Sequence, residues 1–308
     1  KTNRYWLDRI PEDAVDIPPH EACEHPVIRY QRQNKSWRHG LDDDTVRHVR
    51  RIYFAMCAEA DAMVGAVYDA VKRLGLADST YFVFSSDHGE LALEHQQYYK
   101  MSMYEGSVRV PLVMCGPDIP AGGSTDNLAS LIDLCPTFME MAGLDPRPGN
   151  DGESLLPLAT GRTTESRNTA YACFTGTTMN TSAFMLRRDP WKYIAYVGKP
   201  CRLFDVESDP GELHDLSGEK PDVVQRLDAE LRRIVDYNRT HDDWQAYYCR
   251  SAFRQWRRQA QRGLYVDDSY ALRDSPSSDC RRIMDNAYTG YSDADEAAVD
   301  AWLEGTKT

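Results

Sequence analysis

The sequence is short of several features that would have narrowed its function at once. It has no run near the roughly 18 apolar residues of a membrane span; its most apolar stretches, Tyr81 to Phe84 and Leu112 to Cys115, have strand length, so no membrane insertion is expected. None of its eight cysteines forms a Cys-x-x-Cys pair, which leaves zinc ribbons and thioredoxin-like redox motifs without support. It has no basic excess. The 36 Lys and Arg against 48 Asp and Glu give a net charge of −12, opposite to the footprint of a nucleic-acid binder, so no nucleic-acid partner is expected. A polyanionic substrate would therefore need a local basic pocket. The chain opens at Lys1 without Met or an apolar leader, from which a processed or truncated piece is expected.

What is present suits a folded protein. With 308 residues, 42% of them hydrophobic, the chain can bury a core without staples. Residues 1 to 43 mix Pro, His and charge without periodicity and read as an irregular lead-in. From Asp44, residues Val46, Val49, Tyr53, Met56, Ala60, Met63, Val67, Val71 and Leu74 recur at helical spacing; Asp44 reads as N-cap and Gly75 as the stop. Thr80 to Ser86 and Val108 to Cys115 read as strands, the first buried, and Leu128 to Ala142 as a helix, which together suggest an α/β layer. Pro146 to Arg167 has the composition of a linker. Beyond it, Ala183 to Leu186, Trp191 to Tyr196 and Arg202 to Phe204 are short antiparallel strand candidates, followed by a helix from Pro221 to Tyr237. The expected division is 1–165 for the α/β core and 166–308 for a smaller unit of antiparallel sheet plus helices. Asn34, Asn180 and Asn238 each head an Asn-x-Ser/Thr glycosylation sequon, which leans towards a secreted or lysosomal setting.

The densest polar group is Ser85-Ser86-Asp87-His88-Gly89-Glu90, with His95, Lys100, Glu105 and Arg109 following. Ligands of open α/β sheets sit beyond the carboxyl ends of strands, where this group falls. Asp87 beside His88 can bind a divalent cation, and Gly89 permits the tight turn this needs. Lys100 can then set a fixed positive charge against an anionic ester oxygen. A carboxylate and imidazole that only cap a strand-end loop are the plain alternative. His95 can touch substrate or simply pack. His20 to His25 offers soft ligands but reads as a solvated loop, and the Arg-rich run from Arg250 to Arg262 reads as a solvated helix face or a polyanion-binding one.

The stretch FSSDHGELALEHQQYYKMSMYEGSVRVPLVMCGP, with SLIDLCPTFMEMAG, ESLLPL, MLRRDPWKYIAY and LFDVESDPGELHDL, resembles the sulfatase family of the alkaline-phosphatase superfamily, from about Tyr53 to Leu216. The resemblance implies part of an alkaline-phosphatase-like α/β core with a smaller carboxy-terminal antiparallel subdomain. It implies a sulfuric ester hydrolase, an exosulfatase on sulfated uronate residues of glycosaminoglycans, with a sulfated saccharide or aryl sulfate as substrate. Asp87 and His88 would be metal ligands, the metal being the family's Ca2+, and Lys100 would bind the sulfate. The family's nucleophile is a formylglycine made from Cys within Cys-x-Pro-x-Arg. No such segment occurs in this sequence; Cys115-Gly-Pro-Asp-Ile comes nearest but lacks the Arg, and Cys115 reads as core. The chain thus resembles the carboxy-terminal portion of a sulfatase. The competing readings are a phosphate-ester hydrolase on the same fold and a non-catalytic fragment that holds sulfated glycans.

Overall fold

The computed structural model describes residues 2–21, 25–34, 40–176, 179 and 181–244. The first elements are helices: α1 (Arg4–Leu7), α2 (Pro26–Asn34) and α3 (Asp43–Arg73). α3 is the long periodic helix. Its cap is Asp42, not Asp44: Asp42 Oδ1 accepts from Thr45 N at 2.8 Å, which leaves Asp43 and Asp44 in the first turn, against the positive end of the helix dipole. Gly75, at φ +69°, takes the left-handed conformation that ends it.

The lead-in is partly exposed but not irregular throughout. Pro26 opens α2, and Val27 and Ile28 are fully buried. One face of α3 clips the preceding backbone through guanidinium groups: Arg47 donates to Val15 O at 2.6 Å, Arg51 to Ile10 O at 2.7 Å, and Arg50 to Asp16 at 2.8 Å. A segment held by side chains of a later helix shows no periodicity of its own, which is why its order is invisible in the sequence.

Next comes a two-stranded antiparallel ribbon of β1 (Phe82–Ser85) and β2 (Leu112–Cys115), with Phe82 opposite Cys115 and Ser85 opposite Leu112. Between them lie a strained loop and the short helix α4 (Glu105–Val108). β1 is not the buried strand its composition suggests, since Phe84 is partly exposed. β2 starts four residues after Val108 because Val108 closes α4. α5 (Leu134–Met141) follows a 3₁₀ turn at Leu131–Asp133, so helical structure begins at 131 and not at 128.

The segment 146–167 is packed where its composition suggests a linker. Asp133 Oδ1 accepts from Glu153 N at 2.9 Å and from Arg167 Nη2 at 2.8 Å, and Thr137 Oγ1 accepts from Leu155 N at 2.8 Å. The short helix α6 (Leu156–Ala159) then buries Leu156. Pro, Gly and Thr here serve turns that follow α5.

The remaining strands form one antiparallel sheet in chain order: β3 (Thr169–Phe174), β4 (Ala183–Arg188), β5 (Trp191–Tyr196) and β6 (Lys199–Asp205). β3 escapes the sequence reading because Thr-Ala-Tyr-Ala-Cys-Phe holds small residues at alternate positions. Asp189 (φ 52°) and Gly198 (φ 68°) make the two tight turns. Successive residues serve opposite faces. Met185, Ile194 and Phe204 pack with Val27, Ile28, Leu91 and Met103 on one side. Phe184, Leu186, Tyr193 and Leu203 pack on the other side with Leu227 and Leu231 of α7 (Pro221–Ile234). Burial on both faces explains why these strands read as nearly continuous apolar runs. Among the described residues no helix is long and apolar enough to cross a membrane. The Arg250 to Arg262 run lies outside the described residues.

Candidate functional site

Directly after β1 the chain turns through Ser86-Asp87-His88-Gly89. Ser86 Oγ donates to His88 O at 2.8 Å, and Gly89 N donates to Ser107 O of α4 at 2.8 Å. Glycine is required at 89 because a Cβ there would strike the Gly106 carbonyl oxygen. This close approach delivers the other side of the site: Ser107 Oγ donates to the Lys100 carbonyl, so one helical turn touches both the Asp87–Gly89 corner and the Lys100 backbone.

Three of the residues read from the sequence meet. His88 Nδ1 donates to Gly89 O at 2.9 Å, which leaves Nε2 as an acceptor, and Lys100 Nζ donates to that atom. Asp87 Oδ2 lies 3.4 Å from the same nitrogen. The group is accessible: Asp87 is 83% exposed. An ammonium, an imidazole nitrogen and a carboxylate thus converge at a strand end, a composition suited to an anion and a cation together.

Among the described residues there is no cluster of three or more His, Cys, Asp or Glu that could hold a metal ion. Asp87 and His88 Nε2 offer two adjacent donors. A hard cation takes six or more oxygen-rich ligands, so these two fit as part of a divalent site and not as the whole of one.

His95 is not brought to this group, which corrects its reading as a substrate contact. It is 5% exposed, its ring stacks on Tyr104 with centroids 3.5 Å apart, and its Nδ1 lies 3.0 Å from Glu21 Oε2. Its neighbours form a buried charged network. Glu21 receives Arg202 Nη2 at 2.8 Å, Arg32 Nη2 at 2.9 Å and the Tyr104 hydroxyl at 3.0 Å, while Arg202 also donates to Tyr104 and, at 3.2 Å, to Asp215. Burial alone would raise the Glu21 carboxyl, but the His95 hydrogen bond and the Arg202 charge outweigh it and hold Glu21 at about 2. Glu21 was part of the segment read as a solvated loop; the structure buries it instead. His25, in the same segment, is half-buried with Nε2 2.9 Å from Pro200 O, and burial lowers its pKa. Cys23 lies outside the described residues.

A second buried network stands beside the first. Lys192 of β5 is fully enclosed, with Nζ 2.6 Å from Glu105 Oε1 and 2.8 Å from Glu212 Oε1. Sequence reasoning passed over Lys192 and Arg202. The available signal was a charge inside a strand apolar on both sides, Trp-Lys-Tyr-Ile and Cys-Arg-Leu-Phe, since such a charge must find a buried partner. Cys115 sits on β2 with Sγ 3.8 Å from Phe82 O, half-buried in the ribbon. Of the sequons, Asn238 is exposed in a helical segment at 237–244, Asn34 ends α2, and Asn180 lies outside the described residues.

With this geometry in view, the family profiles and the curated relatives point to one family. The profile described as Sulfatase matches residues 18–144, and that described as N-sulphoglucosamine sulphohydrolase, C-terminal, matches 93–238. Proteins named arylsulfatase K from Xenopus laevis and Homo sapiens are 41% and 40% identical over 249 residues, covering 77% of this chain and 46% of theirs. The chain spans about half the length of the relatives it matches. Among solved structures, a phosphonate monoester hydrolase of Agrobacterium radiobacter superposes with a TM-score of 0.63 at 23% identity, covering 75% of this chain and 53% of that one. A 2-O GAG sulfatase gives 0.58 at 21%, covering 77% and 59%. These likenesses show the fold, a partial alkaline-phosphatase-like sulfatase architecture of mixed helices and antiparallel sheets.

Proposed function

The chain belongs to the sulfatase family, and from that premise we propose that it supplies the cation-and-sulfate side of a sulfuric ester hydrolase. The observation that carries this reading is the convergence of Asp87, His88 and Lys100 after β1. In it, Asp87 and His88 Nε2 would hold a divalent cation, calcium in the family's usual form, once Lys100 Nζ exchanges its hydrogen bond to Nε2 for a sulfate oxygen, and the further ligands would come from beyond these two residues. Such an ion and a formylglycine, when present, supply the Lewis acid and the nucleophile for sulfate ester cleavage. Lys100 binds a non-bridging oxygen of the sulfate ester, where its fixed charge offsets the negative charge on the sulfuryl group as the bond to the leaving alcohol oxygen breaks. His88 Nδ1, engaged with Gly89 O, keeps Nε2 turned to the site. His95 has a packing role. The substrate class is a sulfated uronate of a glycosaminoglycan, as the likeness to arylsulfatase K implies, and the setting is secreted or lysosomal. The division at about residue 165 is retained as part of this proposal. Apolar residues exposed on α3 and β2, such as Met63, Val67 and Val113, offer a surface on which the remainder of a sulfatase-length protein packs.

The test is to express this chain alone and together with the upstream half of the parent gene, in cells that make formylglycine, and to assay a sulfated uronate saccharide, an aryl sulfate and a phosphonate monoester. Turnover of sulfate esters only in the combined sample is expected. Turnover by the chain alone would place the nucleophile among residues assigned here to structure; a preference for the phosphonate would favour a phosphate-type hydrolase, and binding of sulfated glycan without turnover would favour a non-catalytic fragment. In the combined protein Lys100→Ala is expected to lower kcat about 100-fold or more, and His95→Ala to lower stability with a far smaller effect on kcat. Equal losses of kcat would overturn these roles.

A further inference from the structure

The candidate site is held together from a distance. Lys100 touches His88, but what fixes the Lys100 backbone and the Gly89 corner is α4, through Ser107 Oγ on Lys100 O and Ser107 O on Gly89 N. α4 spans four residues and has too few internal hydrogen bonds to hold its own position. Its first residue, Glu105, is anchored twice: the carboxylate receives Lys192 Nζ at 2.6 Å, and the backbone N–H donates to Glu212 Oε2. Glu212 in turn receives Lys192 at 2.8 Å and is 1% exposed, so one enclosed ammonium on β5 joins both carboxylates that grip the start of α4.

We propose that Lys192 is a positioning residue for the Asp87–His88–Lys100 site, acting through Glu105 and α4. The role rests on the sulfatase reading for its catalytic consequence, though not for the bracing itself. Two considerations favour positioning over simple stabilisation. A buried ion pair contributes little or no net stability compared with apolar side chains of similar volume, so stability is a weak reason for an ammonium at this point. A charged hydrogen bond is directional, and the path from Lys192 to Lys100 consists of directional contacts: Lys192 to Glu105, one turn of α4, then Ser107 to Lys100. The adjoining residue is treated alike, since Tyr104 is gripped by Arg202 from the neighbouring strand β6. Arg202 also ties down Glu21, so its removal would disturb the lead-in as well; Lys192 is the cleaner handle.

Two variants of this chain separate the possibilities: Lys192→Met, which keeps length and removes charge, and the neutral triple Lys192→Met/Glu105→Gln/Glu212→Gln. Amide hydrogen exchange is read at Gly89 and across 98–104, with Leu227 and Leu231 of α7 as the reference. In folded Lys192→Met, exchange at Gly89 is expected to rise about tenfold while α7 is unchanged. The triple variant, relieved of unpaired buried carboxylates, is expected to recover the thermal midpoint but not the Gly89 protection. Unchanged Gly89 exchange in the folded single variant overturns the proposal, as does recovery of both properties in the triple. If the single variant does not fold, the triple decides; a triple that also fails to fold assigns Lys192 to stability and overturns it. In the combined two-part protein, the triple is expected to lose about 100-fold in kcat with KM within about twofold, the signature of misplaced catalytic groups. Wild-type kcat in the triple overturns the catalytic consequence. Absence of turnover in the unmodified combined protein instead fails the sulfatase reading, and the exchange data still judge the bracing.

Discussion

The four-stranded sheet and the β1–β2 ribbon differ in what covers them. In the sheet, alternate residues of β4, β5 and β6 enter two separate cores, one shared with α2 and one with α7. In the ribbon, the cross-strand partners Phe84 and Val113 are both exposed, and α3 nearby in sequence leaves Met56, Met63 and Val67 in contact with solvent, Met63 at 67%. The apolar pattern of α3 is as regular as that of β4 and β5, yet only Val46, Arg50 and Ala55 of its 31 residues are buried. Periodicity therefore reports which face a segment would bury; whether a partner covers that face is a separate fact. The sheet and α7 cover each other, whereas α3 and the ribbon leave apolar side chains exposed. The candidate site lies where the two meet: it hangs from β1 and is braced by β5 and β6.

This contrast can be broken most sharply at the braces. Arg202→Met leaves Glu21 buried without its principal cation and is expected to destabilise the chain by about 3 to 5 kcal/mol in urea unfolding. A loss below 1 kcal/mol would show the network to be dispensable. Acid reaches the same network without mutation. Glu21 is held at about 2 against an ordinary 4.5, so its contribution is complete above pH 4.5 and is lost as the pH falls towards 2, a change of about 3 kcal/mol. Unfolding free energies measured at pH 5 and pH 2 should show that decline, and Glu21→Gln should flatten it; an equal decline in the variant would assign it to other carboxylates.

A matched pair sharpens the difference in coverage. Leu231→Ala, under the sheet, is expected to cost about 2 to 3 kcal/mol. Met63→Ala on α3 should change stability by at most about 0.5 kcal/mol, and Met63→Lys should reduce self-association seen by light scattering. Comparable stability losses at Leu231 and Met63 would mean that the α3 face is covered after all.

Much of this was legible in the residues. The 3.6 spacing of α3 and α7 and the punctuated strands β4 to β6 followed from pattern, and the meeting of Asp87, His88 and Lys100 followed from the strand-end motif and its family likeness. The buried networks were not legible, because their partners are far apart: the Glu21 to Arg202 contact spans 181 positions, and no local rule pairs a glutamate in a Pro-rich lead-in with an arginine in a late strand. His95 was misleading for the same reason. It lies between Asp87 and Lys100 in sequence, but its left-handed backbone turns the ring inward to Tyr104.

That backbone has a further consequence. Ala92, Leu93, His95, Gln96 and Tyr99 all have positive φ without being glycine, and each such residue costs about 1 kcal/mol. The offsetting contacts come from outside the loop or from its base: Arg50 on Ala92 O, Arg32 on His95 O, and Glu90 on the amides of Ala92 and Tyr99. The segment from Leu91 to Lys100 is therefore not a portable cassette. Grafted onto another scaffold without α2, α3 and Glu90, it would relax to right-handed conformations and carry Lys100 away from any histidine placed to meet it.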